Sequence, residues 1–168
     1  MLIVVGIDPG VRPTLCRIGA DGAVDFDEQT AVVVKRGKGK RTVPQPALIA
    51  NILRRWAPDI VVIEAVQPVG RPEGKQRSPM TGGLLMHARG IAEGCCAGIG
   101  LPCELVAPSA WTREMKVRGG PEGARQRALE INPMLAKALA HKNSHNKAAA
   151  FLLARWALLT LAPKHPLF

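Results

Sequence analysis

Leu2-Ile3-Val4-Val5-Gly6-Ile7-Asp8-Pro9-Gly10 decides the fold class of this chain. An apolar run of strand length, rich in Val and Ile, reads as a buried central strand. It delivers one carboxylate, Asp8, into a break. Pro9 cannot donate to a ladder and Gly10 permits a sharp turn, so pairing stops there. Asp8 is therefore expected at the carboxyl end of a core strand, where open α/β sheets place their sites. The plainer alternative is that Asp before Pro-Gly merely forms a turn.

Pro58-Asp59-Ile60-Val61-Val62-Ile63-Glu64 repeats the arrangement: an apolar strand, then one acid at its end. If the two strands are neighbours, their acids converge. Converging carboxylates bind hard divalent cations such as magnesium or manganese. Two such ions about 3.5–4 Å apart activate a water and stabilise a leaving oxygen in phosphodiester cleavage.

The 168 residues suffice for one domain with a real core, and the net charge is +10. So positive a field favours a polyanionic partner, nucleic acid above all. No basic amphipathic helix or lipidation signal argues for a membrane surface. No apolar run reaches the roughly 18 residues of a membrane span. The N-terminal apolar stretch lacks a basic leader and contains Asp8, unlike a signal peptide. Cys16, Cys95, Cys96 and Cys103 make no CxxC pair, so a zinc site is not expected. Reduced, mostly buried thiols in a cytoplasmic protein are the economical reading.

Further along, residues 14–18 read as a second strand, Asp21-Gly22 as a hairpin turn, and a third strand falls somewhere within 23–34. Lys35-Arg36-Gly37-Lys38-Gly39-Lys40-Arg41 carries five basic residues in seven. It reads as a flexible basic loop that tracks phosphates. Residues 46–56 have a helical apolar stripe through Leu48, Ile49, Ile52, Leu53 and Trp56. Residues 66–79 form a long polar loop carrying Arg71, Lys75 and Arg77, all expected on nucleic acid. A helix over 80–98 contains Gly82, Gly83, Gly90 and Gly94. These small residues mark either a dimer face or close packing on the protein's own sheet. Residues 101–106 read as a fifth strand, 122–129 and 145–161 as helices, and 163–168 as a loose tail after a single domain over 1–162. Tight turns make the early strands antiparallel; helical crossovers make the later ones parallel. The result is a mixed α/β sheet that sets Asp8 beside Glu64.

The chain resembles the RuvC-type Holliday junction resolvases of the RNase H-like nuclease fold. The likeness rests on Gly6-Ile7-Asp8-Pro9-Gly10, Val61-Val62-Ile63-Glu64, Ala88-Arg89-Gly90, Pro108-Ser109-Ala110-Trp111 and Lys147-Ala148-Ala149-Ala150-Phe151-Leu152-Leu153-Ala154, in that order. It looks nearest to the phage or prophage branch. It implies a five-stranded mixed sheet flanked by helices, a homodimer, and magnesium-dependent paired cuts in a four-way DNA junction, with Mn²⁺ as a possible substitute.

By the same resemblance, Asp8 matches the first metal-binding acid and Glu64 the second. Two further ligands are implied at the start of the last helix, three residues apart. Asn146 and Ala149 stand there. Asn146 offers only a neutral carbonyl, and Ala149 nothing. His145, one helical turn before Ala149, is a substitute ligand or else a cap. The lysine expected near Gly120 is missing, and Lys116 or Arg125 would have to supply its charge. Residues 66–79 hold no aromatic wedge. Two functions remain open: a structure-selective endonuclease, and a nuclease-like protein that grips branched DNA without cutting. A sugar-kinase-like relative is the weaker third, since the chain is short for two domains.

Overall fold

The computed structural model describes residues 2–37, 39–66 and 79–161. A five-stranded mixed sheet forms its centre, in the order β3-β2-β1-β6-β7. The strands are β1 (Val4–Asp8), β2 (Thr14–Ile18), β3 (Val24–Asp27), β6 (Ile60–Glu64) and β7 (Cys103–Val106). β1 runs antiparallel to β2 and parallel to β6, and β7 extends the parallel half. β1 lies innermost because both of its faces are apolar: Val4, Val5 and Ile7 are fully buried. Asp59 fixes its start, accepting the Ile3 N–H at 2.7 Å on Oδ2.

Helices cover both faces. Val5, Ile7, Leu15, Val61 and Ile63 pack with α1 (Pro46–Trp56) and α2 (Pro79–Gly98). Val4, Cys16, Ile18, Ile60 and Val62 pack with α3 (Pro108–Glu114), α4 (Gly120–Ile131) and α5 (His145–Thr160). Gly6 sits under α5. A Cβ there would collide with the Ala150 carbonyl and lie 2.6 Å from the Ala154 nitrogen. Helix and strand backbones therefore meet directly, as only glycine allows.

The Asp21-Gly22 turn forms as expected, with Gly22 at φ +82° and Asp21 Oδ1 accepting the Ala23 N–H. Two expectations need correcting. The stretch 23–34 holds two strands, since β3 stops at Asp27 and β4 (Ala31–Arg36) starts a separate sheet. The basic run is no flexible loop. β4 pairs antiparallel with β5 (Gly39–Pro44), and Lys35, Arg36, Lys40 and Arg41 ride on these paired strands. β-Branched Val32, Val33, Val34, Thr42 and Val43 carry the pairing, and Gly37 turns the chain at φ +58°. Two short 3₁₀ turns, Pro133–Ala136 and Lys142–Ser144, lead into α5. The expected tail at 163–168 lies outside the described residues, as does nearly all of the 66–79 loop.

Candidate active site

The register of β1 and β6 ends at Ile7 opposite Ile63. The next residue of each strand is an acid, so Asp8 and Glu64 occupy adjoining positions at the carboxyl edge. Side chains alternate across a strand. Asp8 thus shares the face of Val4 and Gly6, and Glu64 that of Ile60 and Val62, the face that α5 covers. Both acids are half-buried. Right after Asp8 the chain turns, with the Gly10 N–H bonded to the Asp8 carbonyl at 3.0 Å.

Trp111 holds Glu64. Its Nε1–H donates to Glu64 Oε1 at 3.0 Å, and its ring is 3% exposed. α3 positions it: Pro108 sits in the first turn, and Thr112 Oγ1 bonds back to the Pro108 carbonyl. Pro108-Ser109-Ala110-Trp111 was legible as a motif, but its orienting role needs the fold.

α5 brings its first turn to the same edge. Lys147 pairs with Glu28 at 3.0 Å, just past the carboxyl end of β3. β3 runs parallel to β1 with β2 between them, so that end lies at the same edge of the sheet as Asp8, one strand removed. His145 and Asn146, both half-buried, begin the helix there, and its positive dipole end favours anions. Ala149 follows on the next turn, partly buried. Among the described residues no three His, Cys, Asp or Glu side chains cluster as a metal site. The donor set nevertheless suits magnesium, which typically takes one or two carboxylates and leaves the other positions to water and phosphate.

The basic hairpin is anchored beside this edge. Thr30, fully buried at its base, donates to the Pro13 carbonyl in the turn after Asp8, and its own carbonyl accepts the Gln45 N–H. Sequence reading missed this anchor. Lys35 and Lys40 stand directly opposite one another. Like charges so placed repel, which a bound polyanion would relieve. Arg41 faces Val34 across the ladder and lines a cavity of about 310 Å³ with Val11, Pro44, Leu84 and His87. Arg36 ends β4, while Lys38, Arg71, Lys75 and Arg77 lie outside the described residues. Lys116 is exposed past α3 at φ +57°. Arg125 is engaged elsewhere. It grips Glu122 at 2.6 Å, donates to the Leu139 carbonyl, and holds the Glu122 carboxyl below its usual range.

No family model matches the chain, and no curated protein sequence matches it. Solved structures do. Thermus thermophilus RuvC in complex with a Holliday junction substrate superposes with a TM-score of 0.60, over 96% of each chain at 16% identity. A second Thermus thermophilus RuvC structure gives 0.56 over 97% of each chain, again at 16% identity. The chain has the RuvC fold. The RNase H-like, five-stranded mixed sheet expected from the sequence is therefore present, with the acids at its carboxyl edge. The described helices are too short or too polar to cross a membrane.

Proposed function

We propose that this protein is a structure-selective endonuclease that resolves four-way or other branched DNA junctions by metal-dependent phosphodiester hydrolysis. The observation that carries the reading is the pairing of Asp8 and Glu64 on adjoining parallel strands, beneath the first turn of α5. Asp8 and Glu64 would hold Mg²⁺ or Mn²⁺, with the Asn146 carbonyl and His145 as outlying donors. When bound, such a cation makes water nucleophilic near neutral pH and offsets charge on the leaving oxygen.

The chain's own residues do the rest. Trp111 fixes the Glu64 carboxylate. Lys35, Arg36, Lys40 and Arg41 on the hairpin, with Lys38, Arg71, Lys75 and Arg77, hold phosphates and thereby set register without reading sequence. Lys116 supplies positive charge near the reacting phosphate. Arg125, paired with the exposed Glu122, is the alternative source of that charge. Junction shape and deformability supply most of the selectivity.

Paired cuts need two copies, and we place the homodimer face on α2. Ala88, Ala92, Cys95 and Cys96 bury its inner side, while Gly90 and Gly94 face open space. Gly82 is buried and Gly83 lines the cavity beside Arg41, so the alternative of packing within the protein suits those two. Three free buried thiols fit a cytoplasmic setting.

A junction binder that no longer cuts is the second reading, and Ala149 favours it. The test incubates a labelled four-way junction and a matched linear duplex with Mg²⁺, Mn²⁺ or EDTA. Paired, metal-dependent nicks near the crossover support the nuclease. Tight junction binding without nicks in either metal supports the binder, with Asn146→Asp plus Ala149→Asp as the restoration to try. Equal, weak binding to both DNAs contradicts both readings.

A further inference from the structure

Thr14 lies directly across the β1–β2 ladder from Asp8. Cys16 and Ile18, its neighbours at alternate positions on β2, face α5 with Val4, so Thr14 shares the sheet face of Asp8. It is fully buried, and its Oγ1 has no hydrogen-bond partner among the described residues. An unpaired buried hydroxyl costs stability that a valine of the same shape would not lose. Thr30, the other fully buried threonine, shows the usual outcome: its hydroxyl is bonded. The one at Thr14 stands beside a carboxylate, the acceptor a hydroxyl donates to most strongly.

We propose that Thr14 is a positioning residue for Asp8, its hydroxyl donating to the Asp8 carboxylate when that carboxylate holds a divalent cation. Cross-strand partners have Cβ atoms about 4.5–5.5 Å apart, within reach of one side-chain rotation. Carboxylates that ligate metals are themselves held by hydrogen bonds, and losing such a partner typically weakens binding about 10–100-fold. The inference rests on the reading of Asp8 and Glu64 as cation ligands.

The test measures Mn²⁺ binding without DNA, from the paramagnetic resonance signal of the free ion, for wild type, Thr14→Val and Thr14→Ser. Thermal melting in EDTA accompanies it. The expected result is about 10-fold weaker Mn²⁺ binding for Thr14→Val, recovery in Thr14→Ser, and no loss of melting temperature for Thr14→Val in EDTA. Wild-type affinity in Thr14→Val overturns the proposal. So does a lower melting temperature for Thr14→Val in EDTA, because the hydroxyl would then serve the metal-free fold. A wild type that binds no Mn²⁺ contradicts the cation reading itself, and the inference falls with it.

Discussion

Replacing Gly6 with Ala tests how the site is assembled. The added methyl would lie 2.6 Å from the Ala154 nitrogen and closer still to the Ala150 carbonyl. Both are helix backbone, so no side chain can swing aside, and α5 must move off β1 by about 1 Å to reach ordinary contact. Overpacking a core typically costs about 1–3 kcal/mol. With rigid backbone on both sides the cost belongs at the upper end, about 3 kcal/mol. In a chain of this size that lowers the melting temperature by about 6–12 °C. The same shift displaces the first turn of α5 from Asp8 and Glu64, and misplacement by 1 Å can cost about 10²-fold in rate. The control is Gly98→Ala at the C-terminal end of α2, where the methyl meets nothing. It should be neutral or stabilise the helix by up to about 1 kcal/mol. Melting curves and single-turnover junction cleavage read both effects. A Gly6→Ala protein that melts and cuts like wild type would refute the close backbone contact.

Trp111→Phe keeps an aromatic side chain but loses the pyrrole half of the indole, and with it some buried volume and the donor to Glu64. It should lower stability by about 1.5–3 kcal/mol, the usual worth of a bond to a charged group, and slow cleavage more than it weakens junction binding; denaturant titration and kinetics check it. Lys35→Ala or Lys40→Ala should leave the melting temperature unchanged or raised, because each removes a like-charge pair across the hairpin. Each should also reduce the slope of log affinity against log salt by about 1, measured by anisotropy on junction DNA. Cys103 is exposed, and the neighbouring Cys96 thiol favours its thiolate, while burial raises Cys16 and Cys95. Iodoacetamide at pH 8 should label Cys103 first, with a rate rising through a midpoint below that of an ordinary thiol; mass spectrometry reads the order.

The acids were legible because the stretches around Asp8 and Glu64 are strands buried on both faces, and a buried strand must end where its polar residue emerges. Their adjacency followed from antiparallel turns early and helical crossovers later. The basic hairpin was hidden because charge and glycine spoke louder than the β-branched residues flanking them. Its anchor, Thr30 on the Pro13 carbonyl, joins residues 17 apart in sequence and leaves no local pattern. The grip of Trp111 on Glu64 spans 47 positions and needs β6, β7 and α3 in place. Gly6 looked like an ordinary strand residue, and only the seating of α5 gives it a purpose. Arg125 read as a source of charge in place of the missing lysine, and the fold adds that it pairs with Glu122 and donates to the Leu139 carbonyl.

The most direct measurement is cleavage of a labelled four-way junction in Mg²⁺ by wild type and Asp8→Asn, with binding measured on the same samples. Wild type is predicted to nick opposing strands near the crossover, and Asp8→Asn to bind the junction without cutting it. Asp8→Asn cutting at the wild-type rate would contradict the account, because the carboxylate at the edge of β1 would then have no part in the chemistry.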